Sequence, residues 1–216
     1  MKRKIQNGIY LIVDPSMDRN ALVNKLEEII YEEIAVIQIW DNFKPNENPI
    51  ELIDVIANLC HTQNIPVLIN NQWELLRQTN LDGVHFDKMQ DNISQLKIEL
   101  GREILTGITC NNDLTIVRWA KENGVDYISF CSMFSSSTAN SCELVSFNTV
   151  REARKITSLP IFLAGGIKPE NMELLNELNY SGIAVVSGIL NADKPLEALK
   201  KYRQKIKTNQ YENRNY

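Results

Sequence analysis

The sequence predicts an α/β chain folded as a single (β/α)8 TIM barrel, and three observations predict it. Short continuous apolar runs alternate with amphipathic stretches along the whole chain, the form taken by parallel strands covered on both faces. Eight such runs can be read with no break in composition between them, which argues for one closed barrel. The last two runs end in small residues that lead into helices: PIFLAGGIKPEN at Pro160–Asn171 and GIAVVSGI at Gly182–Ile189. Small side chains there leave backbone N–H groups uncovered beside helix starts, and the loops after strands seven and eight are where barrels commonly hold a phosphate.

The first strand is read at Ile9–Asp14, and Leu22, Leu26, Ile29 and Ile30 mark the face of the helix after it. Asp14-Pro15-Ser16 follows this strand where a doubly wound open sheet, the alternative architecture, would want GxGxxG. The second strand is Ala35–Trp40, followed by a helical face of Ile53, Ile56, Ala57 and Cys60. The third to sixth are Pro66–Asn70, Gly83–Phe86, Ile104–Thr109 and Tyr127–Phe130. A polar loop, Ser132–Ser141, comes next, and its place on the carboxyl side of a strand fits either a lid or a solvated surface loop. The seventh and eighth strands are Ile161–Ala164 and Gly182–Val186, and Leu196, Leu199 and Ile206 line one face of the last helix. The lysines and arginine between Lys200 and Lys207 read as a solvated face that suits the end of a helix. The barrel is assigned to residues 1–208 and a polar tail to 209–216.

The 216 residues suit a compact barrel. Lys and Arg number 23 against 27 Asp and Glu, a formal charge of −4, so nucleic acid is not an expected partner. No apolar run approaches the ~20 residues of a membrane span, and MKRKIQNG leads straight into a strand, so a cytoplasmic location is expected. The four cysteines lack CxxC spacing and there are two histidines, so any metal would be a hard cation held by oxygen.

Barrel sites collect residues from strand carboxyl ends. Here those are Asp14, Gln38 and Trp40, Asn70 and Asn71, His85 and Asp87, Thr109 and Cys110, the serine loop, Gly165 and Gly166, and Ser187 and Gly188. Neutral amides and hydroxyls with a few carboxylates suit a polar heterocycle carrying a phosphate, and no Ser-His-Asp set or strand-end lysine is visible. Each residue also has a structural reading. Gln38 can be a core amide with a partner, and Asn70 and Asn71 can cap a helix. His85 can be a hydrogen-bonded structural histidine, Cys110 a buried filler, and Trp40 and Trp73 packing residues rather than stacking platforms.

With IYLIVD, VIQIW, LINN at Leu68–Asn71, LDGVHF at Leu81–Phe86, GIT at Gly107–Thr109, GVDYISF at Gly124–Phe130, AGGIKPEN and GIAVVSGI in order, the chain resembles the thiamin phosphate synthase and thiazole tautomerase superfamily. The resemblance implies a (β/α)8 barrel, usually a homodimer, that joins hydroxymethylpyrimidine diphosphate to thiazole phosphate and releases diphosphate with Mg²⁺ bound. It assigns Gly166, Ser187 and Gly188 to the thiazole phosphate, and Gln38 and Asn70 to the pyrimidine and its diphosphate. Thr109 stands where the synthase has a Ser near the diphosphate, and Ser136 and Thr138 take the hydroxyl positions of the thiazole-side loop. Asn71 and Asp91 lie at or beside the two metal positions.

The departures all concern charge. Trp40 and Asn42 stand where the synthase pattern has Arg and Lys, Asn71 and Gln90 where it has metal-binding Asp, and Ala139 where it has a loop Lys. A departing diphosphate needs positive charge around it. Two other readings therefore stay open: a non-catalytic paralogue that binds a phosphorylated heterocycle, and a thiazole tautomerase-like isomerase with Cys110 near the position of that branch's acid–base histidine.

Overall fold

The apolar runs become eight strands: β1 (Gly8–Val13), β2 (Ile34–Ile39), β3 (Val67–Asn70), β4 (Gly83–Phe86), β5 (Leu105–Thr109), β6 (Tyr127–Cys131), β7 (Ile161–Ala164) and β8 (Gly182–Val185). A computed structural model describes residues 3–45, 47–135 and 143–212, with side chains to 206. Every neighbouring pair is parallel, and β8 closes on β1 in the register Gly8↔Gly182 to Leu11↔Val185, so the sheet is a closed barrel and not the open alternative. The helices are α1 (Arg19–Ile29), α2 (Pro49–His61), α3 (Ile93–Leu100), α4 (Leu114–Glu122), α5 (Phe147–Ile156), α6 (Ser187–Leu190) and α7 (Pro195–Glu212). The last of these runs past residue 208. After β3 and β7 the crossover is made by 3₁₀ turns, Trp73–Arg77 and Met172–Leu175. No described helix is long and apolar enough to cross a membrane.

Local chemistry sets the helix starts. Asp18, Asn48, Asn92, Asp113 and Ser146 each accept a backbone N–H of the first turn, and Pro49 fills the first position of α2. Asn70 and Asn71 are not caps: the cap position of the 3₁₀ turn after β3 is Gln72, which makes no side-chain cap bond.

Strand parity separates two apolar layers. Leu11, Val13, Ile37, Ile39, Ile69, Val84, Ile108, Ile128, Leu163 and Ile183 pack outward among the helices. Tyr10, Val36, Leu68, Leu105, Tyr127, Phe162 and Ala184 fill the barrel itself. Gly107 makes that filling possible, because a Cβ there would stand 2.0 Å from the Tyr127 ring. At the amino ends of the strands, Asp82 of LDGVHF binds Arg3 (2.6 Å), His61 (2.9 Å) and the Val67 N–H (2.8 Å), and Asp126 of GVDYISF accepts the Thr106 N–H (2.8 Å). Those two motif carboxylates hold the floor of the barrel and lie away from its carboxyl-end mouth.

Candidate functional site

A cavity of about 600 Å³ opens at the carboxyl ends of the strands. Gln38, Trp40, Asn70, His85, Asp87 and Thr109 line one side, and Gly165, Gly166, Lys168, Ser187 and Gly188 the other. The strands alternate, so Gln38, Asn70, His85 and Thr109 face inward above the Tyr10–Tyr127–Phe162 layer.

On the glycine side, Met133 N–H and Phe134 N–H donate to Ala164 O (2.8 Å) and Gly165 O (3.0 Å), which lays the start of the loop after β6 across the end of β7. Gly166 has φ of 64°, and a Cβ there would stand 2.6 Å from the carbonyls of Phe134 and Ser135. Only glycine accommodates both the left-handed backbone and the overlying loop. Asn171 ties the turn by donating to Gly166 O (2.9 Å) and accepting the Lys168 N–H (2.8 Å). Tyr202 of α7 supports the wall from outside, donating to Ile167 O (3.1 Å). Ser136 and Thr138, and residues 136–141 of the serine loop, lie outside the described residues.

On the amide side the polar groups form one continuous chain. Asn71 Nδ2 donates to Asp41 Oδ2 (2.9 Å) and to Asp87 Oδ2 (2.8 Å), while its Oδ1 accepts the Asp87 N–H (3.0 Å). Asn70 Nδ2 also donates to Asp87 Oδ2 (3.1 Å), and Gln38 Nε2 donates to Asn70 Oδ1. Tyr10 O–H donates to Gln38 Oε1. Since that uses Tyr10's one proton, its 2.8 Å contact with Tyr127 is made by the Tyr127 O–H. Tyr127 oxygen then accepts from His85 Nδ1–H (2.8 Å), and His85 Nε2 accepts from the Thr109 O–H (2.9 Å), which in turn accepts from Ser129 (3.1 Å). Burial keeps this assignment neutral. It pushes the His85 imidazole down to about 4, against the opposing pull of Asp87. It also raises both tyrosines, so their hydroxyls stay protonated donors.

Four sequence candidates are placed differently by the fold. Cys110 is buried in the outer layer and does not line the cavity, because Thr109 takes the inward parity. Burial and then Asp113 push its thiol up to about 12, so it has no access to a ligand and no acid–base role at neutral pH. Trp73 lies outside the cavity with the Arg77 guanidinium 5.1 Å over its ring. Asn71 and Asp91 do not assemble the hard-cation site that the resemblance implies. Asn71 turns its N–H₂ group toward the carboxylates, and Asp91 is exposed away from the cavity. Among the described residues no group of three His, Cys, Asp or Glu could hold a metal ion.

Sequence reasoning passed over four contributors. Tyr10 and Tyr127 read as apolar strand residues, and Ser129 as strand interior. Lys168, the one cation among the described lining residues, comes three residues after Gly165. Its signal was its place just past a strand's carboxyl end.

Whole-chain comparisons place the barrel in a family. A family model described as thiamine monophosphate synthase matches residues 9–189, which spans the barrel from β1 to α6. The chain belongs to the thiamine monophosphate synthase family. The thiamine-phosphate synthase of Nitrosococcus oceani is 30% identical over 198 residues, 91% of each protein. That of Picrophilus torridus is 29% identical over 201 residues, 93% of this chain and 97% of the relative. Among solved structures, the thiamine phosphate pyrophosphorylase of Pyrococcus furiosus superposes with a TM-score of 0.78 at 18% identity, covering 96% of this chain and 98% of that one, a likeness of fold.

Proposed function

We propose that this family member is a thiamin phosphate synthase that joins hydroxymethylpyrimidine diphosphate to thiazole phosphate with release of diphosphate. The observation that carries the reading is a cavity with two unlike walls, lined by residues that the resemblance assigns to the two substrates. Gln38, Asn70 and Thr109 lie on one side, and Gly166, Ser187 and Gly188 on the other. The amide wall suits a heterocycle edge. The small-residue wall, with Lys168 beside it, suits a phosphate monoester. Ser136 and Thr138 would complete the thiazole side.

A second reading is favoured by a specific observation. Trp40 lines the cavity and Asn42 is exposed where the family pattern is cationic, and Asn71 bridges two carboxylates where that pattern has a metal ligand. A barrel so altered binds the phosphorylated heterocycle without turning it over. The isomerase alternative loses its residue, because Cys110 faces away.

Purified protein with both substrates and Mg²⁺ separates the readings. Thiamin phosphate is followed by fluorescence after oxidation, and thiazole phosphate binding by calorimetry. Product above a no-protein control supports the synthase. Binding of thiazole phosphate with no product supports the second reading.

A further inference from the structure

Asp87 reaches the site as a single carboxylate just past β4, yet it fixes the direction of the side-chain hydrogen bonds that run from Asn70 through Gln38, Tyr10 and Tyr127 to His85. A carboxylate only accepts, so Asn70 must turn its N–H₂ to Asp87 and its carbonyl to Gln38. Gln38 must then offer its amide N–H to Asn70 and its carbonyl to Tyr10. With both tyrosine protons spent in the same direction, His85 is held as the Nδ1–H tautomer. Reversing Asn70 would set its carbonyl against the Asp87 carboxylate, and reversing Gln38 would set its carbonyl against that of Asn70.

The polarity has a consequence for the ligand. Gln38 and Asn70 each use one N–H of their amide on a neighbour. The second N–H of each is not taken up among the described residues, and both side chains line the cavity. Asp87 Oδ2 accepts from Asn70 and Asn71, whereas Oδ1 has no partner among the described residues, and Asp87 also lines the cavity. The wall therefore offers N–H donors next to a carboxylate oxygen acceptor. Its complement is a ring nitrogen adjacent to an exocyclic amine, the edge of an amidine. A ring with a carbonyl at that place would set oxygen against the carboxylate, which costs far more than a merely weaker contact.

We propose that Asp87 determines specificity for an aminopyrimidine over its oxo counterpart, by accepting the exocyclic amine and by setting the amide polarity of Gln38 and Asn70. This rests on the pyrimidine assignment of the amide wall under the proposed function. It does not require turnover.

The test uses calorimetry with two uncharged probes, the hydroxymethyl aminopyrimidine alcohol and the same compound with oxo in place of amino. Thiazole phosphate serves as a control for an intact glycine wall. The wild-type protein is expected to prefer the amine by at least about tenfold. Asp87→Asn, at an exposed mouth position, is expected to bring that ratio near one with thiazole phosphate binding unchanged. A second readout is ¹⁵N NMR of the imidazoles, simplified by the presence of two histidines. The wild-type His85 should show the Nδ1–H form, and Asp87→Asn should admit the other tautomer. Equal binding of the two probes by the wild type overturns the proposal, as does an undiminished preference in Asp87→Asn or a wild-type Nε2–H imidazole. A preference lost in Asp87→Asn, in a protein that makes no thiamin phosphate, upholds it while the synthase reading falls. Turnover with unchanged discrimination in Asp87→Asn does the reverse.

Discussion

His85 illustrates how a single residue can be structural and still shape a site. It is buried between Tyr127 and Thr109, and both of its nitrogens are used. Burial lowers its folded-state value to about 4, below the ordinary 6.5. Between those values the unfolded chain binds a proton that the folded chain refuses. The stability that goes with the neutral ring is thus complete above pH 6.5 and is lost as pH falls toward 4. The slope in that window approaches roughly 1 kcal/mol per pH unit for one such group. Replacing His85 with Asn is expected to lower stability at pH 7 and to flatten this part of the profile. Urea midpoints at pH 7 and pH 5 check both; a His85→Asn profile as steep as the wild type would assign the acid loss to other groups.

At the scale of the element, β5 and β6 show what a parallel strand gives up to make room for a polar layer. Gly107 of β5 lies under the Tyr127 ring, and its missing Cβ lets Tyr127 reach both Tyr10 and His85. Gly107→Ala must displace that ring within a closed barrel. It is expected to cost about 1–3 kcal/mol, as overpacked cores do, measured as a lower urea midpoint, and to cost much less when made in a Tyr127→Ala background, where the ring is gone. An unchanged midpoint would mean that the ring moves freely. The strands themselves were legible because double coverage makes each a short apolar run, and their ends fell within a residue or so of the reading. The sequence places the ends of β1 and β2 at Asp14 and Trp40, but the ladders stop at Val13 and Ile39. The 3₁₀ turns after β3 and β7 carry too few residues to show a helical period. The glycine and amide walls were legible from position past strand ends. The chain joining them was not, because Tyr10 and Tyr127 lie 117 residues apart and meet only when β8 closes on β1.

Over the whole molecule, a net charge of −4 is distributed so that the cavity mouth is acidic at the amide end. Asp14, Asp41 and Asp87 follow β1, β2 and β4, while Lys168 stands at the glycine end. The link between two of those carboxylates is neutral: the Asn71 amide nitrogen lies 2.9 Å from Asp41 and 2.8 Å from Asp87. It gives each carboxylate a hydrogen bond without supplying charge. Asn71→Asp would remove both donors and add a third negative group at the same place. Like charges at this spacing repel by about 1 kcal/mol or more near a hydrated surface, so the variant is expected to melt several degrees lower in EDTA. Three converging carboxylates are a hard-cation donor set, so millimolar Mg²⁺ should restore most of that loss, an effect expected to be much smaller in the wild type. Thermal melts of both proteins in EDTA and in Mg²⁺ decide it. If Asn71→Asp melts with the wild type in EDTA, the two carboxylates are not held close enough to repel a third. If it melts lower and Mg²⁺ brings no recovery, the mouth cannot form a cation site by this single change.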